Sequence, residues 1–554
     1  MDSPDTLRDG HQAYDRRAWS DAYAAYLRAD ERTPLAGEAL WRFATTAFLV
    51  GRETDFQRLL ERSHRAHVEA AQPESAARDA FWLSLTLLSR GEVGQANAWI
   101  ARGERLVQDV DCAERGYLML MLVEQQLSGG DAGAAQAHAC TALQIGECHR
   151  DPDLIAAARH LLGRAAIQMG ELAPGLKLLD ETMLAVVAGE LGMLMTGLMY
   201  CSVISACHEI CEIGRAREWT AALSCWCEQQ SGMIAFTDTC RVHRAEILQL
   251  QGSWPLAVAE ARRVCDRCHS CGRDPPGSAL YQLGEIHRLR GEDVEAEAAY
   301  RAASECGCEP QPGLALLRLS QGRTDAAAAA LRRLLAATAQ PLRRARLLPA
   351  HVEIMLAADD LLEAQRACDE MTALAGKTGT AVLRAQSAQA RGSVAGRRGD
   401  HSSALADLRS AFESWVGLEM PFEAARVRVQ MGVACREIGD VEASQLEFDA
   451  ARATFERLGA RAELARLRGL RGHPAGAGPL SARELQVLRM VAEGRTNKAI
   501  ARALELSERT VDRHVSSILG KLQVPSRAAA TAHAISRRLI ESPGGNYPDA
   551  PSSG

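Results

Sequence analysis

The chain is 554 residues long, more than one compact core takes up, since single cores stop growing near about 250 to 300 residues; at least two structural units or one extended array are expected. It is 47% hydrophobic, 24% charged and only 5% aromatic, a globular composition rich in alanine that favours helices packed on helices through small contacts. The formal net charge of −6 excludes a chain that is basic throughout, so a nucleic-acid-binding surface has to be segregated into one part of it.

The N-terminus, MDSPDTLRDGHQ, has no basic segment followed by an apolar one, so no secretory signal is read and a cytoplasmic location is expected. The sixteen cysteines are then expected as thiols filling small core positions. Leu191 to Cys207 is the longest uncharged stretch, at 17 residues broken by Gly, Thr and Ser; it reads as a buried helix, and no membrane span is expected.

From about residue 5 to 465 a loop glycine recurs at intervals near 40 residues: Gly51, Gly91, Gly130, Gly170, Gly214, Gly252, Gly291, Gly322, Gly399 and Gly439, with Asp359 standing in once. A small residue lies seven before the glycine at Gly163, Gly284, Gly392 and Gly432, and an alanine lies five after it at Ala96, Ala257, Ala296 and Ala404. Seven residues are about two helical turns, which puts both glycines on one face, where only small side chains let a second helix cross closely. Tyr300 and Phe448, nine after their glycines, are expected to fill the hairpin core. These positions resemble the tetratricopeptide repeat, and the resemblance implies about a dozen helical hairpins whose surface holds a protein segment, a small-molecule ligand or another copy of the chain.

Within the array, CDRCHSC at residues 265–271 has the spacing of a thiolate metal site. Cys265, Cys268 and Cys271, completed by Cys306 or Cys308, are candidate ligands for zinc or an iron–sulfur cluster, or a redox-responsive group; otherwise they are inert core thiols. AGKTGT at 375–380 lacks the first glycine of a phosphate-binding loop and follows a helical pattern, so Gly376 is read as a helix C-cap. His208, His287 and His351 are expected singly in hairpin helices. No Ser/His/Asp set, H-E-x-x-H or dinucleotide fingerprint occurs, so neither an enzyme nor a cofactor is expected.

Residues 469–479 are rich in Gly and Pro and read as a linker. Residues 480–540 carry 11 Lys plus Arg and 5 Asp plus Glu, a net +6 that leaves −12 for the rest. Four short helices are predicted here: one opened by Ser481 with Glu484 as a capping box and closed at Gly494, one capped by Thr496 or Asn497, one capped by Ser507, and one capped by Ser526. The tight joint between the second and third is that of a helix-turn-helix.

The stretch LSARELQVLRMVAEGRTNKAIARALELSERTVDRHVSSILGKLQVPSR resembles the DNA-binding domain of the LuxR and FixJ regulators, through Leu480, Glu484, Gly494, Ile500, Thr510, Val511, His514, Ile518, Lys521 and Leu522 among others. That resemblance implies a double-stranded DNA partner, with the third helix in the major groove. Thr496, Asn497, Lys498, Arg509, Thr510, His514, Ser517, Lys521 and Arg527 are the candidates it supplies for DNA contact, phosphate and sugar above all; Val511, Asp512, Arg513 and Ser516 are candidate base readers, Val511 against a thymine methyl. Asp512 departs from the usual lysine; a carboxylate cannot pair with phosphate but can accept from cytosine N4 or bridge to Arg509 or Arg513. The fourth helix is implied as a dimer contact, so a homodimer or higher oligomer is expected.

The chain thus reads as all-α: a solenoid of tetratricopeptide-like hairpins over 1–468, the linker, a four-helix LuxR-type domain over 480–541 and a disordered tail over 542–554. It also resembles the C-terminal part of the large ATP-binding LuxR/MalT-like regulators without their nucleotide-hydrolysing module. A regulator whose array senses a partner and controls dimerisation or promoter contact is expected; an interaction scaffold with residual DNA affinity, or a metal- or redox-sensing regulator, are the alternatives.

Overall fold

The computed structural model describes residues 3–270, 274–472, 480, 482–504, 506–522 and 524–536. All regular structure among them is helical. Antiparallel helix pairs follow one another from Ser3–Asp15 with Trp19–Arg32 to Pro421–Ile438 with Val441–Leu458; the single helix Arg461–Gly472 and four shorter helices come after them. Packing divides the chain into two compact units, one of the described residues up to 288 with 293–354 and 369–384, the other of 289–292, 355–368 and the described residues from 385 on.

Hairpin turns share one backbone device. The residue at the turn takes a left-handed φ, and the next residue donates its N–H to the carbonyl five positions back, as Glu171 does to Ala166 and Asp440 to Cys435, both at 2.9 Å. Glycine adopts that conformation without a Cβ penalty, which is why the loop glycines recur. Two positions differ from expectation. Gly214 lies in the first turn of the helix Ile213–Glu228, and Cys211 holds the left-handed position at φ +61°. Gly376 lies inside the helix Leu361–Thr378, whose end is followed by the left-handed Gly379.

The packing rule read from the sequence is a close helix crossing. A Cβ placed on Gly284 would stand 2.7 Å from the ring of Tyr300, and on Gly432 2.7 Å from that of Phe448. Gly392 meets Leu408 in the same way at 2.7 Å, and Gly10 meets Tyr26 at 3.0 Å. Each pair is sixteen residues apart, so one contact closes four hairpins. Ala96, Ala257, Ala296 and Ala404 are wholly buried where the facing helix leaves room for a methyl group alone. The aromatic residues concentrate early in the chain: Trp19, Tyr26, Phe43 and Phe56 are all buried, each contributing roughly 1.5–3 kcal/mol through apolar burial.

No described helix is long and apolar enough to cross a membrane; the uncharged stretch lies on the helix Met193–Glu209, with Leu194, Val203, Ile204 and Cys207 buried in the first unit. Cys265 and Cys268 sit on the last turns of the helix Trp254–Ser270 and are buried, Cys306 is exposed, Cys308 is half-buried and Cys271 lies outside the described residues. Burial pushes the Cys265 thiol up to about 11. No cysteine belongs to a group of three or more closely spaced metal-ligating side chains among the described residues. His208 is not single: its ring stacks on that of His243, with centroids 5.7 Å apart.

Candidate nucleic-acid interface

The C-terminal helices are Ala482–Ala492, Asn497–Ala503, Glu508–Leu522 and Arg527–Ser536. Their starts follow the side chains that precede them. The Thr496 hydroxyl accepts the N–H of Ala499 at 3.3 Å, Ser507 that of Thr510 at 3.1 Å, and Ser526 that of Ala529 at 3.2 Å, each meeting an otherwise unpaired donor of a first turn. Gly494, at φ +79°, ends the first helix. Ser481 lies outside the described residues, so the reciprocal half of the expected capping box does too. Val487, Leu488, Ile500, Val511, Ile518, Leu522, Ala530 and Ala534 close one small core.

The third helix has two opposed sides. Val511, Val515, Ile518 and Leu522 face inward at helical spacing, while Arg509, Asp512, Arg513 and Ser516 form an exposed row at i, i+3, i+4 and i+7. Val511 is therefore a correction: expected to touch a thymine methyl, it is wholly buried, because the apolar stripe it belongs to is needed to close the core.

Several other candidates are engaged within the protein. Asn497 donates from Nδ2 to Asp512 Oδ1 and accepts at Oδ1 from Arg527 Nη1, while Arg527 Nη2 donates to the Arg495 carbonyl at 2.9 Å. Asp512 is thus bound across to the second helix, and the expected bridge to Arg509 or Arg513 is not what holds it. Lys521 Nζ lies 2.7 Å from one oxygen of Glu484, and the Ser517 hydroxyl donates to the other at 2.6 Å. The Glu484 side chain is 5% exposed, so these two groups offset the desolvation of a buried carboxylate. Thr510 shares a 2.7 Å hydroxyl contact with Ser507.

His514 is half-buried. Burial, aided by the neighbouring Arg483, Lys521 and Arg513 cations and opposed by Glu484, lowers its pKa from the usual histidine value, so near neutral pH it offers a neutral N–H rather than a charge. Lys498, Arg509, Arg513 and Ser516 are exposed, as is Thr496 apart from its capping bond. The hairpin turn at Gly439 lies against the same unit: a Cβ there would stand 3.3 Å from Arg483 Cβ and 3.5 Å from His514 Cε1. That approach, and the part played by Glu484 in holding Ser517 and Lys521, were not legible in the sequence.

Residues 478–534 match the family described as bacterial regulatory proteins, luxR family. This segment is a LuxR-type helix-turn-helix domain. The chain is 47% identical over 60 residues to an uncharacterized transcriptional regulatory protein, YhcZ, of Bacillus subtilis, a match covering 11% of this chain and 28% of that one. It is 40% identical over 62 residues to the response regulator protein VraR of Staphylococcus aureus, covering 11% and 30%. The chain therefore spans less than a third of the length of these relatives, and the likeness is that of the LuxR-type domain alone. A chain from the crystal structure of the APC/C hetero-tetramer Cut9-Hcn1 aligns over 83% of this chain and 95% of its own, with 12% identity and a TM-score of 0.37.

Proposed function

We propose that the chain is a sequence-specific DNA-binding transcription regulator whose repeat array takes up a protein or small-molecule partner and thereby controls dimerisation or promoter contact. The reading is carried by the exposed row Arg509, Asp512, Arg513 and Ser516, on a helix whose other side closes the core of a LuxR-type domain. Lys498 and Arg509 supply cations for phosphates, and the Arg513 guanidinium is suited to guanine O6 and N7. Thr496, Thr510 and His514 add neutral donors at the edge of that row, and Asn497, Ser517, Lys521 and Arg527 brace the helix that carries it.

Segregated charge supports the same reading. A net +6 over residues 480–540 in a chain of net −6 gives the domain a local attraction for polyanions that the array does not share. The turn at Gly439, packed beside Arg483 and His514, gives the array a lever on the domain's approach to DNA. The helix Arg527–Ser536 is the proposed homodimer contact, which makes the target two half-sites; the cytoplasm is the proposed location.

The test is fluorescence anisotropy on duplexes recovered by mapping bound DNA in the native host, compared with random duplexes at several salt concentrations. A preference of about a thousandfold or more, reduced by roughly 5- to 150-fold on Arg513→Ala, is expected. Equal binding of both duplexes would leave an interaction scaffold with residual DNA affinity.

A further inference from the structure

Three side chains on two neighbouring hairpins of the first unit stand together without a role in DNA contact. His208 lies near the end of the helix Met193–Glu209, and His243 with Glu246 lies on the helix Thr237–Leu250 at i and i+3, one face of one turn. One nitrogen or oxygen from each of the three lies within 4.8 Å of the others. His208 Nδ1 is 3.1 Å from Glu246 Oε1, close to the roughly 3.3 Å separating two ligands about 2.0 Å from a tetrahedral zinc ion.

The surroundings point to an occupant. His208 is 8% exposed and His243 9%, yet His208 Nε2 and both ring nitrogens of His243 have no hydrogen-bond partner among the described residues. Buried polar nitrogens left this way are costly, and a metal ion would take up the lone pair of one His243 nitrogen. Neutral imidazole is the commonest side-chain metal ligand. Glu246 adds a carboxylate oxygen as the third donor. Its side chain is 30% exposed, which leaves the site an entry from solvent.

We propose that His208, His243 and Glu246 form a binding site for one divalent transition-metal ion of the zinc class, joining two successive hairpins of the array. Two imidazoles and one carboxylate suit zinc, cobalt or nickel; calcium and magnesium prefer all-oxygen sets. Three protein ligands leave a coordination position for water. Binding would hold the helices Met193–Glu209 and Thr237–Leu250 together and so stiffen the array where it occurs.

The test uses the full chain, stripped with a chelator and titrated with zinc alone by calorimetry. One ion per chain is expected, with a rise in thermal midpoint that calcium does not reproduce. The double variant His208→Gln, His243→Gln is expected to lose affinity by more than about 100-fold, beyond the effect of losing an outer-shell partner, whereas Cys265→Ser with Cys268→Ser retains it. Because buried substitutions can unfold a hairpin, cobalt on the unaltered chain gives a second reading. Visible ligand-field bands without strong near-ultraviolet thiolate absorption support nitrogen and oxygen ligation; strong thiolate absorption, or no stoichiometric zinc in the unaltered chain, overturns the proposal.

Discussion

Asn497 donates to the carboxylate of Asp512 while its own carbonyl oxygen accepts from Arg527, so a residue of the second helix ties the exposed acid of the third to a cation of the fourth. The acid thereby holds the Asn497 amide donor and sets a negative charge in the exposed row, while Arg527 is held by the Asn497 and Arg495 carbonyl oxygens. Asp512→Ala is expected to release the Asn497 amide and remove a negative charge from the exposed row, strengthening binding to random duplex and steepening the salt dependence by about one phosphate contact. Anisotropy titrations from low to high salt measure the slope, and circular dichroism checks that helical content is kept. An unchanged slope would mean that Asp512 restrains no phosphate contact.

The helix crossings give a prediction about stability. A Cβ at Gly163 would meet the Gly175 carbonyl oxygen at 2.9 Å, a backbone atom that cannot rotate away. Gly163→Ala is expected to destabilise the first unit by about 1–3 kcal/mol, as overpacking does. Gly214, with nothing within 4 Å of its Cβ position, is the matched control: Gly214→Ala should be neutral or stabilise by up to about 1 kcal/mol. Urea midpoints of the two variants decide it, and equal effects would mean the crossing is not tight.

His160 is a buried histidine without a hydrogen-bond partner at either ring nitrogen among the described residues. Burial, with Arg164 nearby, pushes its pKa down to about 3. The unfolded chain binds its proton near pH 6.5, so between about 6.5 and 3 the unfolded state holds more protons and stability falls with falling pH, by up to about 1.4 kcal/mol per unit. Above pH 6.5 the contribution is constant. His160→Leu is expected to remove this slope, so its urea midpoint should fall less than that of the unaltered chain between pH 6.5 and 4.5. Parallel losses would assign the acid sensitivity to other groups.

Much of this fold is written in local chemistry. Glycine at a left-handed turn, a small residue seven before and an alanine five after are each demanded by backbone or packing within one hairpin, so Gly284, Gly291, Ala296 and Tyr300 could be read together. Thr496, Ser507 and Ser526 were legible for the same reason, since a cap acts on the next three residues. Cys211 was missed because a turn that tolerates a non-glycine at positive φ has no sequence mark, and Gly214 lay close enough to be taken for it. His243 and Glu246 share a turn, but their meeting with His208 depends on how one hairpin packs on the next. The same holds in the domain: the helical stripe that buries Val511 was visible, whereas the pairing of Asn497 with Asp512, and of Glu484 with Lys521, joins positions 15 and 37 residues apart.

Lys521 and Arg513 separate support of the helix from contact with DNA. The Lys521 ammonium, 39% exposed, meets a Glu484 side chain that is 5% exposed, and truncating it leaves a buried carboxylate with the Ser517 hydroxyl as its remaining partner of the two described above. A loss of about 1.5–3 kcal/mol in the stability of the domain is expected for Lys521→Ala, the range for one hydrogen bond to a charged group. Arg513 is exposed on the opposite side of the helix from the core, so Arg513→Ala should leave stability within about 0.5 kcal/mol and weaken binding to the preferred duplex by about 1–3 kcal/mol. Hydrogen exchange over residues 482–536 of the full chain reads the first effect, and anisotropy reads the second. Faster exchange in Lys521→Ala with unchanged exchange in Arg513→Ala is the expected pattern. Unchanged exchange in both would put Lys521 on the DNA side instead, with the Glu484 pair contributing nothing to the fold.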